Sequence, residues 1–386
     1  MSVTTRSPIL RGVTRSADPE VAARELYEAI GHPRPELVIF FCSSRYDRNA
    51  LAAALGRSFG DTPLVGCTTS GEIGPAGYID GGITAAALPS GDFHAATRVL
   101  ENLESYQSAQ GAAAGLELRA ELNEKTGGWD PRSSFGLLLI DGLSMREEIV
   151  AGSLAQSMDE IPVFGGSAGD DLAFEKTWVY ARGRFHENAA VLTVIQTARP
   201  FTVFKSQHFV STDTRFVVTA ADAELRVVHE LNGEPAARAY ARAVQVEESE
   251  LCAEAFATYP VVVKIGGDIY VRSIQKKNED GSLTFYCAID EGIVLSLAGG
   301  VDSVEHVQKL FGEIRGEIGP PDLVLGCDCI LRNLEFKRKG VRSRVAEILT
   351  ENHVVGFSTY GEQINGMHVN QTLTGVAIAR GGNSDG

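Results

Sequence analysis

The sequence predicts an α/β fold of two domains, each a mixed sheet flanked by helices, with repeated βαβ units. Three observations carry this. Strand-length runs are apolar without alternation, as expected of strands covered on both faces. Each is followed by a helix-length stretch with one apolar stripe. This order recurs three times, and each time the second strand ends in a turn rich in glycine and small polar residues.

The first helix should open at Asp18-Pro19, since Asp accepts from free amides and Pro at the first helical position lacks a donor that would go unsatisfied. Ala22, Leu26 and Ile30 give it an apolar stripe, and Gly31 ends it. Leu37 to Phe41 reads as a buried strand, Arg48 to Phe59 as a helix stopped at Gly60, and Thr62 to Val65 as a second strand running into Gly66-Cys67-Thr68-Thr69-Ser70-Gly71-Glu72. The second copy has a strand over Phe135 to Ile140, a capping box at Ser144-Met145-Arg146-Glu147, a strand over Ile161 to Phe164, then Gly165-Gly166-Ser167-Ala168-Gly169-Asp170. The third has Leu323 to Leu325, a helical stripe over Val341 to Leu349, a strand over His353 to Val355, then Gly356-Phe357-Ser358-Thr359-Tyr360-Gly361-Glu362. Copies one and three align without gaps, Gly66, Thr69, Gly71, Glu72, Thr84 and Ala87 meeting Gly356, Thr359, Gly361, Glu362, Thr374 and Ala377. Duplication explains the match, and the common grammar of α/β proteins remains the alternative.

Between copies two and three the texture changes. Phe201 to Phe209 and Arg215 to Ala220 read as strands, and Glu234 to Val244 as a helix opened by Asn232-Gly233-Glu234-Pro235. Val261 to Ile265, Ile269 to Ser273, Ser282 to Ala288 and Ile293 to Ala298 read as a meander, with Asp280-Gly281 its sharpest hairpin signal. The expected organisation is a helical extension at 1–34, α/β domains at 35–200 and 201–380, and a frayed tail at 381–386.

Composition excludes several classes of function. With 386 residues, 44% hydrophobic and 22% charged, the chain is globular and long enough for two or three cores. The 35 basic and 50 acidic side chains give −15, which repels a phosphate backbone, so nucleic acid is not an expected partner. Six cysteines without a CxxC pair suit a reducing compartment. No apolar run reaches the roughly 18 residues of a membrane helix, and Arg6, Arg11 and Arg15 precede no signal-like apolar segment; the expected location is the cytoplasm.

Three sets of residues carry candidate chemistry. The turns offer Thr68, Thr69, Gly71, Glu72, Ser167, Gly169, Asp170, Ser358, Thr359, Gly361 and Glu362. Their amides suit an anion and their acids an amine, so a small polar ligand fits, whereas turns of purely structural purpose would look the same. Neither a Walker A nor a dinucleotide fingerprint is present. Among histidines, His368 stands between the Gly356 turn and the last predicted strand, and His208 stands near the joint at Arg199-Pro200. No HxH or HExxH cluster accompanies them, so a lone functional histidine would need a macrocycle to complete the coordination of a metal. Otherwise each is a hydrogen-bonded structural histidine. Finally, Cys329 near Arg332 is a candidate thiolate, and Ser144 or Ser167 a candidate nucleophile. Asp170-Asp171 and Glu147-Glu148 are the kind of pair found on solvated turns and helix faces, and no designated base accompanies the serines, so an enzyme is not expected.

Taken together, the motifs Gly66 to Glu72, Phe164 to Asp171, Leu231-Asn232-Gly233-Glu234-Pro235-Ala236-Ala237, and Gly356 to Gln363 resemble the FIST sensory module, across about residues 35 to 380 and including both its FIST N and FIST C parts. The resemblance implies a small-ligand sensor without turnover. Cys329 to Arg332 and Tyr360 to Thr372 look most like the family's nitric-oxide-sensing haem proteins. That implies haem b on His368, or failing that His208, with Arg332 on a propionate and Tyr360 nearby. The implied partner is a histidine kinase or cyclic-di-GMP enzyme in a separate chain. The alternatives are a sensor of a small amino acid or metabolite without haem, and an enzyme using Cys329 or an acidic residue of the turns.

Overall fold

The computed structural model describes residues 7–158 and 161–380. The expected tail at 381–386 lies outside the described residues. The first unit runs β1 (Leu10–Thr14), α1 (Pro19–Ile30), β2 (Pro35–Ser43), α2 (Arg48–Phe59), β3 (Leu64–Thr69), β4 (Glu72–Gly74), β5 (Gly77–Ile79) and β6 (Ile83–Pro89). The second runs β7 (Phe93–Glu101), α3 (Ser108–Thr126), β8 (Ser134–Ile140), α4 (Glu147–Met158), β9 (Val163–Ser167), β10 (Val179–Ala181), β11 (Arg184–His186) and β12 (Ala189–Thr197).

The third unit opens with β13 (Phe201–Ser206) and is interrupted by a lobe. The lobe comprises β14 (Phe209–Asp222), β15 (Val227–Leu231), β16 (Glu234–Pro235), α5 (Ala236–Val244), α6 (Ala253–Thr258), β17 (Val261–Ile265), β18 (Asp268–Arg272), β19 (Ile274–Lys277), β20 (Leu283–Phe285) and β21 (Val294–Gly300). The unit then resumes with α7 (Ser303–Ile318), β22 (Pro321–Cys329), α8 (Ile330–Arg338), α9 (Arg342–Glu351), β23 (Val354–Thr359), β24 (Glu362–Ile364), β25 (Met367–Val369) and β26 (Leu373–Ala379).

The three units form sheets of one design, each completed by a hairpin from another unit. The orders are β1-β6-β2-β3-β10-β11, β7-β12-β8-β9-β24-β25 and β13-β26-β22-β23-β4-β5. Unit two thus lends its hairpin to unit one, unit three to unit two, and unit one to unit three, closing a cycle. Within each sheet the pair β2–β3, β8–β9 or β22–β23 is parallel. Their inner faces share one core, in which Phe41 stacks on Phe357 at 4.5 Å and Phe135 and Phe164 join from unit two. Their outer faces carry the helices, α1 and α2 on the first, α3 and α4 on the second, and α7 to α9 on the third. Burial on both faces is why these strands read as apolar runs without alternation.

Several expectations change in detail. Asp18 caps α1 by accepting from Glu20 N and Val21 N. The N-terminal segment also contributes β1, which pairs with β6; it was missed because its arginines mask a strand only half buried. The capping box at Ser144 does not form: Met145 has φ 52°, α4 starts at Glu147, and that carboxylate bonds Arg226 instead. The meander is instead a sheet in the order β18-β17-β21-β14-β15-β20-β19, with Gly281 at φ 81° in the β19–β20 hairpin. No helix among the described residues is long and apolar enough to cross a membrane.

Candidate functional site

The three turns do converge, but they close on one another. Ser70 N donates to Ser358 O at 3.0 Å and Ser358 N to Gly71 O at 2.7 Å. Gly169 N donates to Thr68 O at 3.0 Å, Ser167 N to Gly361 O at 2.8 Å and Tyr360 N to Ser167 O at 3.2 Å. Thr68, Thr69, Ser167, Ser358 and Thr359 are strand-end residues here, not loop residues, because hairpin exchange extends the ladders through them.

Their side chains are spent internally as well. Thr68 Oγ1 accepts from Trp178 N, and Ser358 Oγ from Asn333 Nδ2. Thr69 donates to Glu72, whose other oxygen accepts from Gly82 N at 3.0 Å. Thr359 likewise donates to Glu362, whose other oxygen accepts from Thr372 N and Oγ1. Burial pushes Glu72 up to about 7 and Glu362 up to about 8, against the hydrogen bonds that favour their charged forms. Asp170 accepts from Phe174, Glu175 and Lys176 amides and from Tyr360 Oη. Asp170 is therefore a buried anchor, not half of a solvated pair; Asp171 faces Arg45 at 3.3 Å.

The residues expected around a haem do not fit one as a set. His208 Nδ1 accepts from Arg332 Nη1 at 3.0 Å and its Nε2 donates to Glu335 at 2.7 Å, leaving no ring nitrogen for iron. Burial lowers His208 to about 4, so it is neutral. Arg332 is fully buried with Nε 2.6 Å from Asp328, so its guanidinium is committed and no propionate is needed to neutralise it. Tyr360 is committed to Asp170. Of these side chains His368 keeps a nitrogen, Nε2, without a partner among the described residues, and its ring lies against Gly361, where an added Cβ would fall 2.2 Å from Cε1. No group of three or more His, Cys, Asp or Glu is placed to hold a metal ion among the described residues.

The candidate nucleophiles are also occupied or unreactive. Burial raises the Cys329 thiol well above its ordinary value. Ser144 Oγ donates to Asp141 O at 2.8 Å, and Ser167 Oγ accepts from Gln363 Nε2 at 2.9 Å, so neither faces a base.

An open site lies elsewhere, in a cavity of about 690 Å³ between unit two and the lobe. It sits past the carboxyl end of β8, where Asp141 follows Ile140, and Glu148, Lys176, Asn188, Glu224 and Arg226 are among its walls. Open α/β sheets bind ligands at such strand ends. Asp141 accepts from Thr177, from Leu143 N at 3.0 Å and from Asn188 N at 2.6 Å. Burial raises its carboxyl above the ordinary value even so. Arg226 reaches from the lobe to Glu147 at 2.7 Å, Glu148 at 2.6 Å and Tyr286 O at 2.6 Å. Glu147 and Glu148 are thus an interlobe ion pair with Arg226, not a solvated helix face. Burial works against the Glu148 charge, but His368 and Arg226 outweigh it and hold its carboxyl below the ordinary range.

Six acidic side chains (Glu104, Asp141, Glu148, Glu175, Glu187, Glu224) and three basic ones (Arg146, Lys176, Arg226) line the cavity, so it is net negative. Glu104, Glu175 and Glu224 have no basic partner among the described residues. The sequence held one usable signal for this site, an Asp-Gly directly after the apolar run ending at Ile140. Nothing local marks Arg226, because its partners are 78 and 79 residues away.

Comparison with known proteins agrees with the motifs. Residues 36–234 match the FIST N domain and residues 236–365 the FIST C domain. The chain is 23% identical over 382 residues to an uncharacterized protein of Methanocaldococcus jannaschii, covering 88% of this chain and 73% of that protein. Among solved structures, a cyanuric acid hydrolase from A. caulinodans aligns at TM-score 0.36 and 12% identity, over 96% of this chain and 99% of the other.

Proposed function

The chain belongs to the FIST family, whose domains are small-ligand sensory modules of signal transduction, and from that premise we propose that it senses a small ammonium-bearing metabolite without haem. The ligand, an amino acid or a diamine, occupies the cavity between unit two and the lobe. The observation that carries this reading is the excess of carboxylates there, three of them without a basic partner among the described residues. A cleft lined by an excess of one sign of charge raises the local concentration of the opposite charge. The cavity is also large enough to enclose such a molecule.

Ligand binding and not turnover is the function proposed, because the serine on the cavity wall, Ser144, is bonded to a backbone carbonyl in place of a base. The signal passes to a separate cytoplasmic partner, a histidine kinase or cyclic-di-GMP enzyme. Arg226 ties the lobe to α4 on the wall of the same cavity, so a bound ammonium competing for Glu148 acts directly on an interlobe contact.

The test is calorimetric titration of the full chain with the twenty L-amino acids, putrescine and haemin. At least one ammonium compound should bind, and Glu175→Gln with Glu224→Gln should weaken it about tenfold, or roughly 1.4 kcal/mol. Saturable haemin binding with a Soret shift lost in His368→Ala, and no binding of an ammonium compound, would replace this reading with the haem one.

A further inference from the structure

A serine and a histidine outside the site described above stand together where the lobe joins unit three. β13 ends at Ser206, just before the chain enters the lobe, and α7 begins at Ser303, just after it returns. Asp302 caps α7 by accepting from Val304 N and Glu305 N, which sets His306 near the start of the helix. Phe204 of β13 shares a hydrophobic cluster with Val304, Val307 and Leu310 of α7, so the two elements are held against each other. Between them Ser206 Oγ lies 2.8 Å from His306 Nε2.

The pair opens on space. Lys205, Ser206, Gln207, His306, Lys309 and Glu313 line a cavity of about 210 Å³, and His306 and Lys309 also line a second one of about 230 Å³. A hydroxyl within hydrogen-bond reach of an imidazole is the arrangement of an activated nucleophile, provided that the ring is neutral. Burial lowers the His306 imidazole below its ordinary value, and Arg332 and Lys309 add to that against Glu313. The ring is therefore free to accept the Ser206 proton near neutral pH.

The same cavity offers positive charge beside the hydroxyl. Lys205 is half-buried, with Nζ 4.5 Å from the centre of the Tyr270 ring and no carboxylate partner among the described residues. Burial lowers its ammonium below the ordinary value, and Asp268 only partly offsets this. Lys309 stands 3.8 Å from Glu313, a loose pair in which both side chains are largely exposed. An anion entering the cavity would meet one ammonium without a partner and a second that exchanges its own readily.

We infer that Ser206 is a site of covalent acylation by small acyl phosphates. Ser206 Oγ attacks the acyl carbonyl while His306 Nε2 takes its proton. The bond from the acyl carbon to the phosphate oxygen breaks, and the phosphate leaves with the electron pair and receives the proton from His306. The products are an acyl ester on Ser206 and free hydrogen phosphate. Lys205 and Lys309 hold the phosphate, which is why the donor is an acyl phosphate and not a neutral ester. His306 has no carboxylate partner among the described residues, and a carboxylate is what steadies the imidazole in a Ser-His-Asp triad. The ester therefore persists, and the reaction is a modification and not a turnover. This inference is independent of the ligand assigned to the cavity between unit two and the lobe.

The test is incubation of the full chain with acetyl phosphate, read by mass spectrometry of its peptides before and after hydroxylamine, which cleaves a serine ester and spares a lysine amide. One hydroxylamine-labile acetyl group is expected, on the peptide that carries Ser206. Ser206→Ala should abolish it, and His306→Ala should slow its formation about a hundredfold. Lys205→Met should slow acetylation by acetyl phosphate more than acetylation by p-nitrophenyl acetate, which has no phosphate to hold. Where a variant fails to fold, the peptide map of the wild-type chain decides in its place. Acetyl groups on lysines alone, a phosphoryl group in place of the acetyl group, or an equal rate in folded His306→Ala would overturn the proposal.

Discussion

The Arg226 guanidinium stands 2.7 Å from Glu147 Oε2, and both side chains are almost wholly excluded from solvent. A charge so placed is tolerable only while its partner is there. Arg226→Met therefore leaves the buried Glu147 without its cation, and urea unfolding should show a loss of about 3–5 kcal/mol. Adding Glu147→Gln to Arg226→Met should recover most of it. A loss below about 1 kcal/mol in the single variant would mean that the contact is not formed in solution.

Glu72 and Glu362 predict a pH dependence. Their carboxyls are raised to about 7 and about 8 in the folded chain, against an ordinary value of 4.5. The folded state therefore keeps protons that the unfolded state releases above pH 4.5, so their contribution to stability is complete below that pH and is lost as pH rises towards 8. His208 works in the opposite direction: its folded value near 4 removes stability as pH falls below about 6.5. The window from pH 6.5 to 8 thus isolates the glutamates. Across it, unfolding free energy should fall in the wild type and fall less steeply in Glu362→Gln, by about 1–2 kcal/mol over the window. Parallel curves would show that Glu362 is already ionised.

Gly361→Ala places a Cβ 2.2 Å from His368 Cε1. The ring has to move, at a cost of about 1–3 kcal/mol. Thermal melts of Gly361→Ala and of Gly361→Ala with His368→Ala should show the second change restoring what the first removes. Purely additive losses would contradict this contact.

Of six thiols, Cys252 is exposed and the other five are buried. A disulfide reagent should label about one thiol per folded chain, at Cys252, and all of them after denaturation. Rapid native labelling of Cys329 would reopen the case for a reactive cysteine there.

How far the fold was legible depended on whether the information was local. The match of Glu72 with Glu362 was local and holds in the structure, where β4–β5 pairs Glu72 with Ile79 and β24–β25 pairs Glu362 with Val369, although the hairpins themselves read only as turns. The exchange of those hairpins among units was not legible, because three-residue strands such as β4 and β24 owe their partners to the whole assembly. The turns were misjudged for a related reason. Thr69 followed by Glu72 reads alike whether the acid faces a ligand or its own threonine, and only burial, absent from the sequence, decides. The cavity joins Asp141 to Arg226, two residues unremarkable alone, and its far wall comes from a lobe inserted into the third repeat.

The most direct test of a ligand site between unit two and the lobe is a crystal structure of the full chain grown with the tightest-binding ammonium compound. The account predicts electron density for that compound between Asp141, Glu148 and Glu224, with its ammonium within hydrogen-bond distance of a carboxylate. Density for the compound only at the interlocked turns around Ser70 and Ser358, with the cavity holding water alone, would contradict it.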